Sequence, residues 1–271
     1  MKPQTISEEL MFSTTKLTAS DGSSGTGFFF HFKYGEGEVP VLITNKHVVK
    51  NNQNENMLFK FHTVKDDVPQ HESVTYSQST NWIFHETQDL CFCFLGDKIQ
   101  KVEHNNKVKV FYIPFTEEFI YDSEKLSELS AVEDVLMVGY PIGLYDEKNN
   151  FPLFRRGITS SHPFFDFNEV SIGTADIACF PGSSGSPLVI LNESGYADKK
   201  GTVHFKGPRF IFLGIQFAGP YYNAEGELRI VNTPTSQNAC IVTPTMTNIA
   251  YYIKAAEILK FREYIDKVIP K

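Results

Sequence analysis

Three residues far apart in the chain are of the types that together activate a serine: His47 in "VLITNKHVVK", Asp89 in "HETQDLCFCFL" and Ser184 in "CFPGSSGSPLVI". A serine hydroxyl is a weak nucleophile until a neighbouring base takes its proton and a third group orients that base. Ser184 has Gly182 two positions before it and Gly185 one after. Small residues there let the backbone turn so that the amides of Gly182 and Ser184 aim at one spot, which acyl transfer needs for its oxyanion. The pattern is not the Gly-x-Ser-x-Gly elbow, because Ser186 stands where the second glycine would fall. His47 ends an apolar run, a place where histidines are usually structural. Asp89 opens an apolar run, where a carboxylate is costly to bury without a partner. Asp66 and Asp67, in "TVKDDVPQ", are rival carboxylates in a polar loop with no apolar strand behind them. A second GSSG at residues 22–25 leads into "TGFFFHF" and reads as a turn ahead of a strand.

The elements that must position these groups are short strands. Apolar runs such as "TGFFFHFKY", "VPVLITN", "MLFKFHTV", "DLCFCFLG", "KVKVFYI", "DVLMVGY", "SPLVILN" and "RFIFLGIQFAG" alternate with turn signals, the signature of a sandwich or of barrels. The chain has 24 Phe and 12 Tyr among its 271 residues, and such side chains favour pleated, half-buried surfaces. Helical spacing appears near the end, where Ile249, Ile253, Ala256 and Leu259 fall on one face. The acidic stretch from Thr116 to Asp134 divides the strands into two sets and reads as a linker.

A formal net charge of −7 argues against nucleic acid, whose phosphates need clustered Lys and Arg. The N-terminus lacks the apolar core of a secretory signal, and no window is long and apolar enough to span a membrane. Cys91 and Cys93 share one face of a strand and make a poor disulfide, and no Cys-x-x-Cys pair is present for zinc. All four cysteines, with Cys179 and Cys240, are therefore expected reduced, and the protein cytoplasmic. The histidines at 31, 62, 71, 85, 104, 162 and 204 are expected to be solvated or structural. No metal and no cofactor are expected, and the sequon at Asn192 should be unused.

The ordered set His47, Asp89, Ser184 resembles that of trypsin/chymotrypsin-like serine peptidases, in style the HtrA/Deg branch. The resemblance runs roughly from Ser20 to Ala256 and is carried by "GTGFFF", "VLITNKHVV", "QDLCFCFL", "VLMVGYPIGL", "RRGITS" and "TADIACFPGSSGSPLV". It implies an all-β fold of two antiparallel six-stranded β-barrels with a C-terminal α-helix. The barrels are expected at about 10–113 and 135–245, the linker at 114–134 and the helix at 246–268. It also implies a serine endopeptidase acting on protein or peptide, with His47 as base, Asp89 as orienting acid and Ser184 as nucleophile. The amides of Gly182 and Ser184 would form the oxyanion hole, and Ala178 and Gly219 would line an uncharged substrate pocket. The alternative is a catalytically silent peptide-binding module of the same fold. Ser183 stands where digestive relatives carry an aspartate that pairs a newly cleaved N-terminus. Activation by that route is therefore doubtful. Control by a regulatory partner, or by switching of the loops around Tyr140–Ile158, which includes Arg155–Gly157, and Cys179–Gly185, is expected instead.

Overall fold

The computed structural model describes residues 2–78, 80–205, 207–228 and 239–269, with only the backbone of 222–228 and 239–245. Strands dominate. The second half of the chain closes into a six-stranded antiparallel barrel. Its ring runs Asp134–Gly139, Leu153–Thr159, Ile172–Asp176, Ile249–Lys254, Arg209–Ala218 and Pro187–Asn192, back to the first. Val135, Met137, Ala175, Leu188, Ile190, Ile211, Leu213 and Tyr252 fill its interior.

Among the described residues the first half shows no closed six-stranded ring of the kind expected; its strands fall into two open sheets. One sheet runs Thr14–Thr18, Ser24–Tyr34, Gly37–Thr44, Cys91–Phe94, Ile83–Phe84, with Phe115–Thr116 added in parallel to Phe30 and His31. A separate three-stranded sheet runs Val68–Tyr76, Phe59–Lys65, Lys109–Phe111. An isolated β-bridge between Thr18 and Leu58 and the hydrogen bonds of the Thr15 hydroxyl with the Lys60 backbone link them. The helix Gly96–Asn106 packs against strands of both sheets and contributes Val102 to the core between them. A helix thus covers a side that strand pairing leaves open.

The run "FFFHF" follows from where its strand sits. Phe28, Phe30 and Phe32 face a core shared with Val189, Phe212, Ile215 and Ile253 of the closed barrel. Phe29, on the other face, joins Leu42, Phe59, Phe61, Trp82, Cys91 and Cys93 in the core of the first half. A strand covered on both faces carries an unbroken apolar run rather than an alternating one. The two halves are thereby packed together through aromatic contacts, Phe28 meeting the Phe212 ring edge-on at 5.5 Å.

The expected terminal helix at 246–268 is a strand, Ile249–Lys254, followed by a 3₁₀ segment, Ala255–Phe261, and a short α-helix, Arg262–Val268. Ile249, Tyr251, Tyr252 and Ile253 are β-branched or aromatic. Pairing on both sides, with Ile172–Asp176 and with Arg209–Ala218, closes the barrel and overrides the helical spacing. The acidic stretch expected as a linker holds a 3₁₀ turn, Glu117–Phe119, and a helix, Ser123–Ser127. Its carboxylates have local uses: Glu117 pairs with Arg262, and Asp122 caps the helix by accepting from Lys125 N at 2.9 Å. Arg155–Gly157, expected in a loop, lie in the strand Leu153–Thr159, paired with Val135–Met137. Among the described residues no helix is long and apolar enough to cross a membrane.

Candidate active site

His47 stands three residues after the strand Gly37–Thr44, and Asp89 stands two residues before Cys91–Phe94. These two strands pair, Thr44 opposite Cys91, so the sheet register brings the segments together. Asp89 Oδ2 lies 2.5 Å from His47 Nδ1, and its Oδ1 accepts the His47 backbone amide at 3.1 Å. The Asp89 carbonyl accepts from Asn45 Nδ2 at 2.7 Å. One carboxylate thus fixes both the backbone and the ring of His47, and a carboxylate at Nδ1 places the proton there and leaves Nε2 as the basic nitrogen. The His47 side chain is 42 % exposed, so Nε2 is open to an approaching group. Asp66 and Asp67, the rival carboxylates, form the tip of the hairpin between Phe59–Lys65 and Val68–Tyr76, both with positive φ.

Ser184 sits in two consecutive tight turns. In Phe180-Pro181-Gly182-Ser183 the amide of Ser183 donates to Phe180 O at 2.9 Å; in Ser183-Ser184-Gly185-Ser186 the amide of Ser186 donates to Ser183 O at 2.9 Å. Each turn has glycine at its third position, with φ of +93° at Gly182 and +88° at Gly185, as a type II turn requires. A Cβ on Gly185 would also collide with the carbonyl oxygen of Thr26.

These turns fix the direction of two amides. In a trans peptide the C=O and N–H of one unit point opposite ways. Pro181 O accepts from Ile142 N at 2.5 Å, and Ser183 O accepts from Ser186 N. The N–H groups of Gly182 and Ser184, on those same peptide units, therefore point away from these partners. Neither has a protein acceptor among the described residues. The hydroxyl of Ser183, fully buried, accepts from Phe180 N at 3.2 Å and braces the first turn from within.

The two halves of the site meet at Gly25–Thr26. A Cβ on Gly25 would press into the side chain of Val48, beside His47, while Thr26 N donates to Ser184 O at 2.8 Å. The Thr26 hydroxyl donates to Gly182 O at 3.0 Å and accepts from Tyr140 N and Ser186 Oγ, each at 3.2 Å. The Thr26 carbonyl in turn accepts from Thr44 Oγ1 at 2.7 Å. Thus the structure joins His47 to Asp89 by direct hydrogen bonds and brings the Ser184 turns to the same sheet edge. It shows no hydrogen bond between His47 and Ser184 among the described residues. Ser186 fits because Gly139 beside it has no side chain; a Cβ there would strike its hydroxyl.

Ala178 is half-buried, two residues before Phe180. Gly219 lies against Cys179, whose Sγ would be 2.8 Å from a Cβ there, and against the carbonyl of Ile249. Cys179 Sγ itself lies 3.6 Å from Ile249 O. Asp176 is exposed at the end of its strand, and Arg155 covers the Phe180 ring with 4.8 Å from its guanidinium to the centroid. Thr26 and Ser183 are structural members of the site that motif reading passes over; the only signal for Thr26 is its place between two glycines, Gly25 and Gly27. No group of three or more metal-ligating side chains occurs among the described residues.

The family model of the trypsin-like peptidase domain matches residues 25–196, a span that includes His47, Asp89 and Ser184. The chain belongs to the trypsin-like peptidase family. No curated protein sequence matches it. Among solved structures it is similar to the Rv3671c protease of M. tuberculosis. The inactive form has 15 % identity and a TM-score of 0.41, covering 95 % of this chain and 90 % of that one. The active form has 15 % identity and a TM-score of 0.42, covering 97 % and 84 %. It is also similar to a scabies mite inactivated protease paralogue, at 12 % identity and a TM-score of 0.44, covering 96 % of each chain.

Proposed function

We propose that this member of the trypsin-like peptidase family is a serine endopeptidase that hydrolyses protein or peptide substrates through an acyl-enzyme. The observation that carries the reading is the pair of hydrogen bonds between Asp89 and His47, set beside the amides of Gly182 and Ser184, which have no protein acceptor among the described residues. In this reading His47 Nε2 takes the proton from Ser184 Oγ as the oxygen attacks the substrate carbonyl. The amides of Gly182 and Ser184 hold the resulting oxyanion. His47 then passes the proton to the departing amine, the C–N bond breaks and the acyl group stays on Ser184. Water, deprotonated by His47, releases the acid and restores the serine. Asp89 holds the imidazole in the tautomer that can accept at Nε2.

Ala178 and Gly219 belong to the substrate pocket in this reading. With Cys179 filling the space beside Gly219 and no carboxylate at Ala178, the pocket suits a small uncharged side chain. The brace from Ser183 Oγ to Phe180 N removes the need for a cleaved N-terminus to order the oxyanion turns. Regulation would then fall to a partner protein acting on the loop between Tyr140 and Leu153, where Ile142 adopts a left-handed conformation at φ 48°, strained for a β-branched residue.

The test is a fluorophosphonate probe applied to the purified chain, alongside Ser184→Ala and a fluorogenic peptide panel. Labelling and turnover in the wild type, both lost in Ser184→Ala, are expected. A folded wild type that neither labels nor cleaves would make the chain a silent peptide-binding module.

A further inference from the structure

The loop that carries Asp89 is folded around a buried histidine. His85 N donates to Leu90 O at 2.9 Å, closing the segment 85–90 into a ring of chain. The His85 imidazole turns into this ring, and its Nδ1 accepts from the backbone amides of Thr87 at 3.2 Å and of Gln88 at 3.0 Å. Gln88 is the residue immediately before Asp89. Two amides aimed at Nδ1 require that nitrogen to be unprotonated, so the ring proton sits on Nε2. Nε2 stands 3.5 Å from Glu257 Oε2, longer than a normal hydrogen bond, and Glu257 is itself held by Lys260 at 2.7 Å. The Phe261 ring packs edge-on against the imidazole at 5.3 Å. His85 and Glu257 are both buried, at 5 % and 4 % exposure.

We propose that His85 is a positioning residue for Asp89: its Nδ1 ties down the two amides preceding the carboxylate, and the segment Ala255–Phe261 holds the ring in place from behind. Asp89 acts on His47 through hydrogen bonds of 2.5 and 3.1 Å, so a small shift of its backbone changes both. The role rests on the reading of Asp89 as the orienting acid. The chemistry at position 85 is that of an Asx turn, in which a side-chain acceptor takes the amides two and three residues ahead. It calls for an acceptor at this place rather than for an imidazole as such.

Two substitutions separate positioning from packing. His85→Asn keeps an acceptor for Thr87 and Gln88 but loses the ring contact with Phe261; His85→Phe keeps the ring and loses the acceptor. Positioning predicts that His85→Phe lowers kcat by ten- to a hundredfold with KM little changed, and that His85→Asn stays within a few-fold of wild type. In His85→Phe the downfield NMR signal of the His47 Nδ1 proton, which reads its hydrogen bond to Asp89, should weaken or move upfield. A purely structural role predicts the reverse order of the two variants and no change in the His47 Nδ1 proton signal. That signal reads the Asp89 contact without any turnover, so it tests the positioning role even if the wild type proves inactive in the probe assay. In the wild type the amides of Thr87 and Gln88 should exchange slowly with solvent; fast exchange at both would overturn the proposal, whether or not either variant folds.

Discussion

The hydroxyl of Thr26, on a strand of the first half, donates to the carbonyl of Gly182, in the serine loop of the second, at 3.0 Å. Both residues are buried. Because the same hydroxyl accepts from Tyr140 N and Ser186 Oγ, one oxygen ties two segments of the second half, at Tyr140 and at Gly182–Ser186, to the strand that leads to the histidine. The relative placement of His47 and Ser184 depends on it.

Replacing Thr26 with valine keeps the volume and removes that oxygen. Gly182 O and Tyr140 N would lose a buried partner, a loss of about 1–3 kcal/mol for an unsatisfied group. Thr26→Val is expected to lower the unfolding midpoint and to reduce kcat more than KM, with Thr26→Ser recovering both. Denaturant melts and steady-state kinetics on the three proteins check this; unchanged kcat in a folded Thr26→Val would rule it out.

Ser184→Ala and His47→Ala should each remove nearly all turnover, on the order of 10⁶-fold in kcat. Asp89→Asn should lose roughly 10⁴-fold, because an amide offers the wrong partner to Nδ1 and reverses the tautomer. Active-site titration of each variant provides the measure, and full activity in Ser184→Ala would point to another nucleophile.

His62 gives the fold an acid sensitivity of calculable sign. It is buried between the rings of Phe12 and Phe151, at 4.8 and 5.5 Å between centroids. Burial pushes its pKa down from 6.5 to about 4. Above pH 6.5 it is neutral folded or unfolded. As pH falls from 6.5 towards about 4, the unfolded chain takes up a proton that the folded one refuses, and stability drops by up to about 3 kcal/mol. His62→Phe should flatten this loss. Urea unfolding at pH 7.5, 5.5 and 4.5 would show it, and parallel pH curves for the two proteins would exclude the assignment.

Cys91, Cys93 and Cys179 are free and buried; the side chain of Cys240 lies outside the described residues. Burial pushes the Cys93 thiol up to about 12 and the Cys91 thiol well above its ordinary range, so little thiolate forms at neutral pH. Under native conditions these three should resist iodoacetamide; after unfolding without reductant, all four cysteines should be alkylated. A mass two units low before alkylation would reveal a disulfide.

Removing residues 1–19 should unfold the protein rather than activate it. Leu10, Phe12 and Leu17 are core residues, and Thr14–Thr18 is a paired strand. A truncated chain with a cooperative melt and raised activity would restore the case for activation by a new N-terminus.

Much of this site was legible in the sequence because its chemistry depends on residue types at turns and strand ends. Gly182 and Gly185 announce two left-handed positions, and Thr44 and Cys91 end the apolar runs whose pairing joins His47 to Asp89. What stayed hidden depends on tertiary partners. Ile249, Ile253, Ala256 and Leu259 satisfy a helical period, yet the open edge of the barrel claims the first two as strand. The helix Gly96–Asn106 has few apolar residues to mark it; Val102 is its one buried hydrophobic side chain. A barrel in the first half was implied by the family resemblance; the sequence carries no mark of which edge a helix covers. His85 shows no motif at all, since its partners are backbone amides.

The strand Ile249–Lys254 lies between Ile172–Asp176 and Arg209–Ala218 in the closed ring, although it follows them late in the chain. During synthesis the ring therefore stays open until residue 254 has left the ribosome. The Ser184 turns lean on Gln216, whose carbonyl accepts from Gly185 N at 2.8 Å, and the strand bearing Gln216 gains its second neighbour only at that moment. Pairings this distant along the chain form slowly. A nascent chain would thus carry His47 and Asp89 already in register while the Ser184 turns still lacked support. The order in which the polypeptide is made would leave the Ser184 turns as the last part of the candidate site to gain support.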